Sequence, residues 1–158
     1  MLEINRELAQ PLMQVERAGN HVEQEIRKAI LSQGISSVIG WTILDFLNQQ
    51  EAKKASLREI RESIRTSKAN LTEVLQTLAR VDYVYIAKSP LDGRERIVSM
   101  TVPGKETFDA SVPTFNDAIA TLLKPLESSE LAQLGALTAK ILNIQPDNQG
   151  VSMNGHLA

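Results

Sequence analysis

The feature that most limits what this chain can fold into is a change of period in its middle. Up to Arg80 the apolar residues recur at helical spacing, and then Tyr83-Val84-Tyr85-Ile86-Ala87 forms a β-branched and aromatic run that reads as a strand. Ser89-Pro90-Leu91-Asp92-Gly93 reads as a turn, with Asp-Gly as the hairpin signal, and Arg96 to Thr101 as the return strand. Helical spacing resumes after it. One hairpin set among helices makes the fold class mainly α (α+β).

The helical segments have legible ends. From about Pro11 to Gln33, Leu8, Val15, Val22 and Ala29 repeat every seven residues, with Leu12, Ala18 and Ile26 beside them. Pro11 suits a helix start or a kink, Gly19-Asn20 weakens the middle, and Gly34 is a natural stop. Ser36 or Ser37 can cap a second helix, Val38 to Gln50, which is apolar on most sides and is expected to be central. Residues 51–55 read as a linker. Ser56-Leu57-Arg58-Glu59 has the capping-box form and opens a short helix to about Ile64. A turn at Arg65-Thr66 leads to a helix from about Ser67 to Arg80 whose inner face is Leu71, Val74, Leu75 and Leu78. After the hairpin, Thr101 can cap a helix with Pro103 in its first turn, running to about Leu123. Pro125 interrupts, Ser128 can cap, and Glu130 to Leu142 is the last helix.

Two close helices joined by a tight turn and followed by a hairpin make a winged helix-turn-helix. Its second helix fits the major groove of DNA, and the hairpin reaches the neighbouring backbone or minor groove.

Charge bears on that expectation. The 158 residues, enough for one domain, carry 17 Lys+Arg and 19 Asp+Glu, a net charge of −2, which excludes a histone-like or ribosomal-type basic protein. Resolved along the chain, the segment from Lys53 to Arg96 holds ten Lys+Arg and six Asp+Glu, a net +4, against −6 for the remainder. A basic centre between acidic flanks suits a nucleic-acid partner. Aromatic residues are only 4%, which argues against a single-strand binder that stacks bases.

Other chemistries lack their residues. With no cysteine, disulfides, thiolate metal sites and thiol redox sensing are excluded. His21 and His156 are far apart, no metal-ligand spacing or phosphate-binding glycine loop occurs, and no nucleophile stands beside a base. No cofactor and no enzyme activity are expected. The N-terminus carries Glu3, Arg6 and Glu7 where a signal peptide would be apolar, and the charge-free stretch Ala29 to Leu44 is shorter than a membrane span. A cytoplasmic protein without a membrane partner is expected. The polar residues 144–158 read as a flexible tail.

The run Asp92-Gly93-Arg94-Glu95-Arg96-Ile97-Val98-Ser99-Met100-Thr101, followed by Gly104, resembles the wing of the MarR family of bacterial regulators. The family pattern is Asp-x-Arg, a short apolar stretch, Leu-Thr and a Gly three residues on; Met100 stands where Leu is usual. The segment from Ile60 through Leu71 to Leu78 and the stretch Leu126-Glu-Ser-Ser-Glu-Leu131 fit as well, so the resemblance spans about residues 11–143. It implies one domain over 1–143, with a winged helix-turn-helix lobe at 35–102 and dimerisation helices at 3–33 and 103–143. Departures are Arg61 where Ala is usual, Arg65 near a usual Gly, Asp82 where Gly ends the recognition helix, and Glu73 where a basic residue is common.

Candidate DNA contacts follow. Ser67, Lys68, Asn70, Thr72 and Gln76 form a polar face on the second helix of the pair; Asn and Gln can bond adenine bidentately, and Ser, Thr and Lys can reach phosphates or base edges. The alternative is an ordinary solvated face. The resemblance implies that Arg94 reaches the minor groove or backbone and that Asp92 orients it, although an Asp–Arg pair could equally serve to stiffen the hairpin. Lys88 and Arg96 are phosphate candidates; Arg61 and Arg65 are phosphate contacts or solvated charges. Leu8, Val15, Val22 and Ile26, with Leu131, Leu134, Leu137 and Ile141, are candidates for a homodimer interface. By resemblance an effector pocket would hold a small aromatic or amphipathic ligand near His21 and Trp41; the plainer alternatives are a solvated His21 and a core-filling Trp41.

The expected function is a dimeric, sequence-specific DNA-binding transcriptional regulator. It would repress from a pseudo-palindromic operator and be released by a small molecule. The alternative is a dimeric winged-helix interaction module that has lost specific DNA binding.

Overall fold

The computed structural model describes residues 5–64, 66–90 and 93–142, apart from the Leu8 side chain. The expectations for Arg65, Asp92, the Leu8 side chain and the tail 144–158 with His156 lie outside the described residues. The chain divides into two units, Met1–Ala120 and Thr121–Ala158.

In the first unit, α1 spans Arg6–Leu31 and starts earlier than expected, with Pro11 inside it. A proline near a helix start removes one backbone donor but keeps a helical φ, so the helix runs through it. Gly19-Asn20 does not break it either; the Asn20 amide donates to Glu16 Oε1 at 3.1 Å. The helix closes with a Schellman motif. Gly34 has φ 87, its N–H reaches the Leu31 carbonyl, and the Ile35 N–H reaches the Ile30 carbonyl. Ile30 and Ile35 are both fully buried.

The next helix, α2, covers Val38–Gln49, and the Ser37 side chain accepts from the Gly40 N–H at 3.0 Å. It buries Trp41, Ile43, Leu44 and Leu47, which makes it the central helix. The linker read at 51–55 proves to contain a short strand, β1, Lys54–Ser56. Lys-Ala-Ser has little intrinsic strand preference, so pairing with a later strand decides it. Ser56 caps α3, Leu57–Ser63, through a complete capping box: Ser56 Oγ accepts from the Glu59 N–H at 3.2 Å, and Glu59 Oε2 accepts from the Ser56 N–H at 2.7 Å.

Helix α4 is Lys68–Arg80, capped by Ser67 Oγ accepting from the Asn70 N–H at 3.2 Å, with Leu71, Leu75 and Leu78 buried. It ends in a second Schellman motif. Asp82 adopts φ 59, its N–H reaches the Ala79 carbonyl, and the Tyr83 N–H reaches the Leu78 carbonyl. Asp82 therefore takes the left-handed position that glycine usually fills, which an aspartate tolerates better than most residues.

The hairpin strands are β2, Val84–Lys88, and β3, Arg96–Met100, in an antiparallel sheet of order β1-β3-β2. Ile86 pairs with Val98, which pairs on its other side with Ala55, so one sheet face is apolar; Val84, Val98 and Ala55 are buried. Thr101 Oγ1 then accepts from the Gly104 N–H at 3.0 Å and starts α5, Val102–Leu123.

The second unit carries α6, Ser128–Ile141. Its cap falls at Glu127 rather than the expected Ser128, with Glu130 Oε2 accepting from the Glu127 N–H at 2.8 Å. The carboxylate three residues inside the helix reaches back to that N–H, which sets the boundary one residue earlier. None of its residues is buried. No helix among the described residues is long and apolar enough to cross a membrane, and none of them form a cluster of three or more metal-ligating side chains.

Candidate nucleic-acid interface

The tertiary burial of α4 decides what it can offer. Leu71, Leu75 and Leu78 turn inward, so the opposite stripe, Ala69, Glu73, Gln76 and Arg80, turns to solvent. Of the polar candidates, Gln76 lies on that stripe. Lys68 and Thr72 are exposed on one flank, and Asn70 is half-buried on the other. Three of the five also have local work. Ser67 caps the helix, Thr72 Oγ1 donates to the Lys68 carbonyl at 2.8 Å, and the Asn70 amide donates to Thr66 Oγ1 at 2.9 Å. Ala69, Glu73 and Arg80 were not among the expected contacts. Their spacing from Gln76, at seven, three and four residues, was the available signal.

The wing is set by register. Lys88 pairs directly with Arg96 across β2 and β3, and both are exposed. Cross-strand partners share a sheet face, so two cations stand side by side beyond the apolar pair Ile86 and Val98. Like charges so placed repel each other, and an anion between them removes the repulsion. Arg94 is exposed at the tip. Its expected partner Asp92 lies outside the described residues. On α3, Arg58 and Arg61 are exposed as well. Glu59 beside them is committed to the cap: the Ser56 N–H, and then its hydroxyl, hold the Glu59 carboxyl below the usual carboxylate range.

The two effector candidates have different surroundings. His21 is exposed on α1. Trp41 is 9% exposed and packs on α5, where its indole stacks on Phe115 with ring centroids 3.7 Å apart and meets Phe108 at 5.2 Å. Its Nε1–H donates to Ser111 Oγ at 2.8 Å, and Ser111 Oγ donates in turn to the Phe108 carbonyl at 2.6 Å. A shallow depression on α1 is lined by Asn20, Glu23, Gln24 and Arg27 and includes neither candidate.

What this arrangement can do is hold a duplex by its charge and present an outward helix stripe to the base edges. Comparison with known proteins agrees at the level of family and fold. Residues 39–119 match the family model described as a winged helix DNA-binding domain, a family of DNA binders rather than of catalysts. No curated protein matches the sequence significantly. Among solved structures, the chain is similar to a MarR family transcriptional regulator from Streptomyces coelicolor in complex with DNA, at 16% identity and TM-score 0.82 over 95% of this chain and 96% of that one. A mutant MarR from Escherichia coli complexed with operator DNA matches at 18% identity and TM-score 0.78, over 89% of this chain and 99% of that one. BpsR from Bordetella bronchiseptica, whose DNA binding is regulated by 6-hydroxynicotinic acid, matches at 17% identity and TM-score 0.77, over 92% and 100%. From the matched residues and the architecture around them, the chain belongs to the winged helix DNA-binding domain family and has the fold of the MarR regulators.

Proposed function

We propose that this protein is a sequence-specific DNA-binding transcriptional regulator of the cytoplasm, acting as a homodimer on a pseudo-palindromic operator and repressing by occlusion. The observation that carries the reading is the joint exposure of the α4 stripe and of the Lys88–Arg96 pair on a winged helix. Phosphate contacts supply affinity and base contacts supply choice, and this surface has residues for both. Ser67, Lys68, Asn70, Thr72 and Gln76 are the groove residues of this reading, with Lys88, Arg94 and Arg96 on the backbone and Asp92 orienting Arg94. The solved structures of like fold that hold DNA support it by analogy.

Dimerisation is supported within each unit separately. Helix α1 leaves Leu12, Val15 and Val22 exposed, at 61%, 42% and 38%, whereas Ile26, expected at the interface, is buried in the chain's own core; α6 leaves Leu134, Leu137 and Ile141 exposed. Apolar rows of that length are costly to leave in water. Release by a small aromatic or amphipathic ligand is supported by the ligand-regulated protein of like fold; it would act by favouring one of two lobe spacings.

The test is binding to duplexes from the protein's own promoter region, wild type against Arg94→Ala, across a salt series. The expected result is salt-sensitive, site-selective binding, weakened in the variant. No salt-sensitive binding to any promoter duplex would leave the interaction-module reading, which the exposed Glu73 on α4 favours.

A further inference from the structure

Glu73 stands in the middle of the outward stripe of α4, one turn after Ala69 and just before Gln76. Its neighbours three and four residues away are Ala69, Asn70, Gln76 and Thr77, none of them cationic. Among the described residues its carboxylate has no ion pair and no hydrogen bond. Any docking of this stripe into a groove carries a bare negative charge in with it.

Where that charge goes depends on what it meets. Against phosphates a carboxylate is only repulsive. Against base edges it can accept from an exposed amino group, and the major groove offers two, cytosine N4 and adenine N6. Adenine presents its amino group between two acceptors, its own N7 and the partner's O4. Cytosine presents its amino group with an acceptor on one side and a C–H on the other, so a carboxylate meets less repulsion there. Resting on the DNA-reading function proposed above, we infer that Glu73 is a specificity-determining residue that reads cytosine through its N4 amino group. The rise of about 1.5 Å per residue puts Gln76 about 4.5 Å further along the axis, within one or two base-pair steps. The cytosine therefore lies close to the base that Gln76 reads.

The experiment selects duplexes from a randomised pool with the full chain, as wild type, Glu73→Ala and Glu73→Gln, and then measures Kd on the selected duplex and on its single-base variants. The expected wild-type result is one required C·G pair in each half-site. Glu73→Ala should cut the preference for that cytosine by about five- to tenfold while leaving preferences elsewhere unchanged. Glu73→Gln should move the preference at that position toward adenine. A variant that gains the same affinity for every duplex would show Glu73 to be merely repulsive and would overturn the inference while leaving the DNA-reading function standing. An unchanged cytosine preference in Glu73→Ala would overturn it too. A wild type that selects no sequence at all removes both the reading and the inference.

Discussion

The α-carbon of Gly104 lies against the Tyr83 carbonyl, so close that a β-carbon there would sit 2.1 Å from the oxygen. The same carbonyl accepts from the Thr101 N–H at 3.1 Å, and Thr101 Oγ1 accepts from the Gly104 N–H. The first turn of α5 is thereby clamped onto the link between α4 and β2. The glycine three residues after Thr101 thus has a physical reason: no side chain fits where α5 leaves the sheet against the Tyr83 backbone.

Gly104→Ala is therefore expected to cost about 3 kcal/mol, the upper end for forcing a methyl into a closed site, because the obstacle is backbone and cannot rotate away. Urea denaturation would measure it. A loss below about 1 kcal/mol would mean that α5 shifts freely on the sheet.

Ser111→Ala tests the Trp41 anchor. The indole Nε1–H has Ser111 Oγ as its partner, and Ser111 is fully buried, so the substitution leaves a buried donor unsatisfied. The expected cost is about 2 kcal/mol. Trp41 is the one tryptophan in the sequence, so fluorescence-detected unfolding follows this site directly. An effector that binds by replacing the serine would instead restore the lost stability in the variant.

Much of this architecture was readable beforehand, for local reasons. Ser37 and Ser56 announce helix starts because a hydroxyl at that position satisfies an otherwise orphaned N–H, and Ser67, read as a DNA contact, caps in the same way. The hairpin announces itself by residue type. Strand β1 does not, because Lys54-Ala55-Ser56 becomes a strand only by lying beside Ser99, Val98 and Ile97. The candidate interface was legible in sign but not in direction. The +4 segment marked a basic centre, whereas the choice between Asn70 and Glu73 as the outward residue depends on which face Leu71, Leu75 and Leu78 bury.

The capping box at α3 gives a pH dependence with a definite sign. The Glu59 carboxyl is held below its ordinary value by the Ser56 N–H, so its charged form is favoured in the folded chain. Its contribution is fully present above the unfolded value of about 4.3 and is lost as pH falls through the lower folded value. Glu59→Gln keeps the shape and removes the charge. Because the carboxyl is exposed, the expected difference at neutral pH is only on the order of 0.5 kcal/mol. Thermal melts of both forms should converge as pH drops below about 4. No difference at neutral pH would mean that the cap works by shape alone, and one that persists at low pH would mean that it does not come from the carboxylate charge.

The Lys88–Arg96 pair makes two predictions that point in opposite directions. Without DNA, the cations face each other across the strands, so Lys88→Gln should raise stability by a few tenths of a kcal/mol, roughly the size of a cross-strand charge term. With DNA, the same change removes a phosphate partner. Affinity should fall by a similar factor on every duplex sequence, and the slope of log K against log salt should flatten by about 1. Arg96→Gln should behave alike, and the double variant should gain little further stability, since one substitution already ends the repulsion. Melting curves without DNA and binding isotherms across a salt series would check both halves. A Lys88→Gln protein that binds DNA with an unchanged salt slope would show that β2 stands clear of the backbone. The wing contact would then rest on Arg94 and Arg96.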